Sequence, residues 1–142
     1  MNTVKQLLDS KAPGAVTIPS SASVFDALAL MAEKDIGAVI VVDHGRVVGI
    51  MSERDYARKV ILQHKSSREI SVASIMTDRV VYVQPTHTVE ECMALMTDKR
   101  IRHLPVIDDG RLVGVVSIGD LVRTLISEQD FVIKQLERYI AS

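Results

Sequence analysis

One constraint governs what this chain can fold into: it contains the same block twice. Residues 16–61 lie over residues 81–126 at a constant offset of 65 positions, without a gap, and 17 of the 46 pairs are identical. Whatever structure satisfies the first block also satisfies the second, so the chain is expected to build one unit two times. The identities are not only apolar. They include Lys34/Lys99, Asp43/Asp108, Gly45/Gly110, Arg46/Arg111, Gly49/Gly114, Ser52/Ser117, Asp55/Asp120 and Arg58/Arg123. A shorter match precedes each block, VKQLL near the start and VASIM from Val72. Polar, aperiodic Lys65-Ser66-Ser67-Arg68-Glu69 is the natural linker. The expected domains are therefore 1–66 and 67–142, the second with a helical extension.

Each copy dictates the same local structure. A short extended piece (16–18; 81–83) leads to Ser23 with Asp26 three residues on, or Thr88 with Glu91, the spacing of a helix-opening capping box. Val24, Ala27, Leu28 and Met31, and then Val89, Cys92, Met93 and Met96, recur with the period of one buried helix face. Two apolar strands follow, GAVIVV then RVVGIM in the first copy and HLPVI then RLVGVV in the second. Asp-His-Gly and Asp-Asp-Gly join them as tight hairpins. A second helix begins after Ser52 or Ser117. The unit is β-α-β-β-α, twice, which places the chain in the α/β (α+β) class. Continuous apolar strands imply sheets covered on both faces. About 60 residues is marginal for an independent core, so the copies are expected to pack on each other about a pseudo-twofold axis.

Composition narrows the function. With 47% hydrophobic and 25% charged residues in 142, the chain reads as an ordinary globular protein. A net charge of −1, no basic run, two Phe, three Tyr and no Trp argue against nucleic acid as a partner. No apolar run approaches the roughly 18 residues of a membrane span. The lone Cys92 cannot close an internal disulfide, and with no signal-peptide pattern a cytoplasmic location is expected. His44, His64, His87 and His103 fall in no zinc-type spacing. No nucleophile elbow, Walker loop or dinucleotide glycine turn is present, so no enzymatic activity is expected.

The ending D-x-G-x-h-h-G-h-h-S-x-x-D in both copies, the stretch RHLPV and the duplicated unit resemble a tandem pair of cystathionine-β-synthase (CBS) domains, a Bateman module. The resemblance covers nearly the whole chain and is nearest to stand-alone CBS-pair proteins. It implies a regulatory sensor of adenosine nucleotides, AMP first, with ATP, ADP or NAD as alternatives and S-adenosylmethionine also open. It implies no catalytic cofactor and no metal. A ligand-independent dimerisation or protein-interaction module is the alternative.

Taken alone, Ser52-Glu53-Arg54-Asp55 is a capping box, Ser at the N-cap and Asp three residues on. The resemblance adds a second use: the Asp holds ribose hydroxyls and the Ser contacts sugar or phosphate. It further implies two clefts. The first takes Ser117, Ile118, Gly119 and Asp120 with Val16, Ile36, Gly37, Ala38 and Lys11. The second takes Ser52, Glu53, Arg54 and Asp55 with Val81, Ile101, Arg102 and His103. Apolar members would sandwich adenine, although simple core packing explains them as well. Arg54, Arg102 and His103 would serve phosphate in the second cleft. Gly37 and Gly119 at the corresponding positions supply no charge. Finally, Leu121, Val122, Leu125, Ile126, Val132, Ile133, Leu136, Tyr139 and Ile140 keep near-helical spacing. That tail either folds back on its own module or pairs in a homodimer, which the resemblance favours. A regulated protein partner is implied without being named.

Overall fold

The computed structural model describes residues 2–11 and 14–141. In chain order these form α1 (Val4–Asp9), β1 (Thr17–Ile18), α2 (Val24–Lys34), β2 (Ala38–Asp43), β3 (Arg46–Ser52), α3 (Glu53–Lys59), α4 (Val89–Lys99), β4 (His103–Asp108), β5 (Arg111–Ser117) and α5 (Ile118–Ala141). Short 3₁₀ turns lie at Ile61–Gln63 and Val72–Ser74. The result is a mixed α+β fold with sheets ordered β1-β2-β3 and β4-β5.

The repeat is legible in the turns. Asp43 pairs with Arg46 across a two-residue loop in which His44 and Gly45 have φ of 51° and 76°. Asp109 and Gly110 repeat this at 51° and 76°. Positive φ at both positions matches the right-handed twist of the strands and favours Gly at the second. Both long helices end alike, with Asp35 (φ 54°) and Arg100 (φ 55°) in the left-handed region. The next amides, Ile36 and Ile101, then reach back to the carbonyls of Met31 and Met96.

One expected strand is reduced. Residues 81–83 contribute a single parallel bridge, Val83 to Val106, where the first copy pairs Thr17 and Ile18 with Ile40 and Val41. The cause is Pro105. Its counterpart Ile40 donates its N–H to the Val16 carbonyl at 3.4 Å. Proline has no N–H to offer Val81, so the ladder stops after one rung.

The described chain divides into two compact units, one of residues 14–81 and 108–113, the other of residues 2–11, 82–107 and 114–141. In the first, Ile18, Val24, Ala27, Met31, Val39, Val41, Met51, Val60, Val72 and Ile75 form a buried cluster. Successive residues 38–41 of β2 are all buried, so that strand is covered on both faces, as expected. In the second unit, Val4, Leu7, Val89, Cys92, Met96, Leu104, Val106, Val116 and Leu121 are buried.

These units do not follow the sequence repeat, because the leaders are exchanged. The stretch before the second block serves the first unit. Val24 and Phe25, the first two amides of α2, donate to the carbonyls of Ile70 (2.9 Å) and Ser67 (2.8 Å), and Val72 donates to Ala22 (2.8 Å). The stretch before the first block serves the second unit. Val89, the first amide of α4, donates to Asn2 (2.9 Å), while Val4 donates to His87 (2.8 Å). Helix starts have amides without intrahelical partners, and each leader supplies the missing carbonyl. Residues 65–69 are thus partly a docked strap, with Arg68 stacked 4.4 Å from the Phe25 ring centroid.

The glycines kept in both copies mark where a leader crosses a strand. A Cβ on Gly49 would lie 2.5 Å from Met76 Sδ and 3.0 Å from the Thr77 carbonyl oxygen. On Gly114 it would lie 2.8 Å from Leu8 Cδ2. Beside Gly49, Ile50 and Thr77 exchange both backbone hydrogen bonds, at 2.9 and 3.0 Å.

Candidate functional site

Each hairpin delivers a Ser-x-x-Asp directly into a helix. In the first unit Ser52 is the extended N-cap of α3, and its hydroxyl oxygen accepts the Asp55 N–H at 3.2 Å. Asp55 Oδ2 answers by accepting the Ser52 N–H (2.9 Å) and hydroxyl (3.1 Å). The other oxygen, Oδ1, faces Lys59 Nζ at 3.2 Å and the Thr77 hydroxyl at 3.4 Å. In the second unit Ser117 and Asp120 repeat the capping pair at 2.9 and 3.2 Å. Asp120 Oδ2 also accepts Lys11 Nζ at 2.7 Å, and Oδ1 accepts Arg123 Nη2 at 2.6 Å. Lys11 is fixed by a further bond to the Val115 carbonyl, 2.9 Å.

Both carboxylates are buried, at 8% and 7% exposed. A buried charge is tolerated only when paired and hydrogen-bonded, and both are. Burial alone would raise the Asp120 pKa. The Lys11 ammonium and the Ser117 groups outweigh it and hold the carboxyl below its usual range, so Asp120 is an anion at neutral pH. The capping-box reading of both motifs is therefore correct as structure, and the same atoms form two defined acceptor sites.

A cavity of about 230 Å³ opens beside Asp120, lined by Leu7, Ser10, Lys11, Asp120, Arg123, Thr124 and Ser127. It is more cationic than the sequence suggested. Gly119 and Gly37 carry no charge, but Lys11 arrives from the exchanged leader. Arg123 arrives from the next turn of α5, its guanidinium 3.4 Å from where a Gly119 Cβ would stand. Arg123, Lys59 and Thr77 were not singled out from the sequence. The first two sit three and four residues beyond an Asp on a helix, a spacing that could have identified them. Nothing local marks Thr77.

The other sequence-derived residues fall as follows. The Glu53 N–H donates to the Gly37 carbonyl at 3.1 Å, and the Ile118 N–H to the Arg102 carbonyl at 2.9 Å. Within each unit, the residues leading into the first hairpin strand thus abut that unit's own Ser-x-x-Asp helix. Ile36, Gly37 and Glu53 also line a shallow depression of about 560 Å³ with Leu28, Met31, Ala32, Asp35 and Tyr56. Ala38 is buried. Val16, Val81, Ile101 and His103 are half-buried, and Arg54, Arg102 and Ile118 exposed.

The comparison with known proteins agrees with this geometry. The CBS domain family model matches residues 4–62 and again 72–127. The chain belongs to the CBS domain family. A solved CBS-domain structure from Burkholderia ambifaria MC40-6, of a candidate signal-transduction protein, is 52% identical, with a TM-score of 0.87 over 89% of this CBS pair and 96% of that chain. The mitochondrial CBS domain-containing protein CBSX3 of Arabidopsis thaliana is 43% identical over 83% of this chain, which spans 60% of that relative's length. The CBS domain pair of protein MJ0100, solved with 5′-methylthioadenosine and S-adenosyl-L-methionine, is 31% identical, with a TM-score of 0.78 over 89% of this chain and 97% of that one.

Proposed function

We propose that this CBS pair is a regulatory module that binds adenosine-containing small molecules through Asp55 and Asp120. The observation that carries this reading is the pair of buried carboxylates at two helix starts, one opening on a cavity rimmed by Lys11 and Arg123. A carboxylate of this kind can accept both hydroxyls of a ribose. The two ligands named for the 31% identical CBS pair both contain adenosine, which supports that choice. Val16, Ile36, Ala38, Val81, Ile101 and Ile118 are proposed as the adenine-contacting set, and Ser52, Ser117, Glu53, Gly37 and Gly119 as its polar or close-packed neighbours. Arg54, Arg102 and His103 are proposed for phosphate near Asp55, and Lys11 with Arg123 near Asp120. With cations at both carboxylates, AMP is the favoured ligand, and ATP, ADP and NAD are its extensions. Binding would act on an unnamed protein partner by changing the conformation of the module.

Calorimetry with adenosine, AMP, ADP, ATP and NAD, with GMP as control, tests the proposal. Asp55→Ala and Asp120→Ala should each weaken one site by roughly ten- to a hundredfold, because each removes a charged acceptor worth about 1.5–3 kcal/mol. Lys11→Ala should reduce the preference for AMP over adenosine at the Asp120 site. Failure of every adenosine ligand to bind, or unchanged affinity in both Asp variants, would leave only the capping role and favour an interaction module.

A further inference from the structure

The last turns of α5 stand apart from everything described so far. The family match ends at residue 127, yet the helix continues to Ala141, and every residue from 129 to 141 is exposed. Ile133, Leu136 and Ile140 are 51%, 56% and 82% exposed. A helical segment of about 13 residues without packing is marginal in water, so this one needs a surface to lie on. It does not fold back on its own unit. It also lacks the basic face that draws amphipathic helices to anionic membranes, since residues 128–141 hold three carboxylates (Glu128, Asp130, Glu137) against two cations (Lys134, Arg138).

The seam is written in heptads. Val122, Ile126, Gln129, Ile133, Leu136 and Ile140 alternate at spacings of four and three. Set antiparallel against itself so that paired positions sum to 262, the seam closes completely. Ile140 faces Val122, Leu136 faces Ile126, and Ile133 faces Gln129. In the same register Arg123 of one copy comes level with Glu137 of the other, and Asp130 lies near Lys134. A parallel arrangement places apolar Leu125, Val132 and Tyr139 beside those charges and forms neither pair. We propose that the projecting part of α5 docks antiparallel on the same segment of a second copy of this chain, with Gln129 near the centre fixing the register.

Sedimentation equilibrium on the full chain should give twice the 15.6 kDa chain mass. Leu136→Glu should raise the dimer dissociation constant by at least about a hundredfold, since each dimer would then bury two unpaired carboxylates. An unchanged circular dichroism melt of the globular part would show that folding is intact. Direction is read with a short bismaleimide, to which native Cys92 is silent because it is fully buried. Val132→Cys should cross-link to itself near the centre of the pair. Ile140→Cys should not, because antiparallel copies would place those positions about 27 Å apart along the axis. A monomeric wild type, a dimer indifferent to Leu136→Glu, or cross-linking at 140 but not 132 would overturn the proposal. So would monomers that sediment with phosphatidylcholine/phosphatidylserine vesicles. None of these readings depends on nucleotide binding.

Discussion

At the scale of single residues, the same atoms answer two demands. Asp55 and Asp120 complete helix caps, and their burial with paired cations also makes them defined acceptors. Replacing either should therefore lower stability by about 1 kcal/mol beyond any effect on ligand, a loss that Asn, itself a good capping residue, should partly spare. Cys92 gives a cleaner test of burial. Desolvation, helped by the neighbouring Glu91 carboxylate, pushes its thiol from 9.0 up to about 11. A raised pKa means the folded state keeps the proton longer than the unfolded chain does. The stability it contributes is complete below pH 9 and is lost as pH rises from about 9 to about 11, by roughly 2–3 kcal/mol. Urea melts across that range should show a steeper alkaline decline for wild type than for Cys92→Ala. Parallel curves would show that the thiol ionises without opening the core.

At the scale of elements, the two kept glycines on β3 and β5 should not respond alike. At Gly49 a methyl meets Met76 and also the Thr77 carbonyl, which is backbone paired to Ile50. At Gly114 it meets only the end of the Leu8 side chain, which can turn aside. Gly49→Ala should therefore cost about 1–3 kcal/mol, and Gly114→Ala distinctly less, by chemical denaturation. Equal losses would mean that strand entropy, not the crossing leader, explains the glycines. The hairpin glycines 45 and 110 differ in kind. Nothing crowds them, and they are kept because φ of 76° strains any residue with a Cβ.

At the scale of the molecule, the exchange of leaders decides what a fragment can do. The cluster of the first unit runs from Ile18 to Ile75 and includes Val72. A chain cut at the sequence boundary, residues 1–66, loses Val72 and Ile75 along with the carbonyls of Ser67 and Ile70 that cap α2. It also retains α1, which belongs to the other unit. Residues 14–81 keep all ten members of the cluster. That fragment should melt more cooperatively and at higher temperature than 1–66. The reverse order would show that the leaders contribute little. In the intact chain, an adenosine ligand at a hundredfold excess over its dissociation constant should stabilise the fold by about 2.7 kcal/mol.

The sequence by itself determined the duplicated unit, the helix starts at Ser23, Ser52, Thr88 and Ser117, the Asp-x-Gly hairpins and the two Ser-x-x-Asp motifs. These rest on local periodicity and on hydrogen bonds spanning three or four residues, and such interactions repeat whenever the string repeats. The weakening of the strand at 81–83 was legible in principle, since Pro105 stands where Ile40 donates, but only once the pairing partner was known. Which leader caps which helix, why Gly49 and Gly114 are kept, and that Lys11 closes on Asp120 across 109 residues were decided by the tertiary structure. Two similar leaders can each offer carbonyls to either helix. Only the closure of the chain around its cores selects between them, and that selection brings the second cation to Asp120.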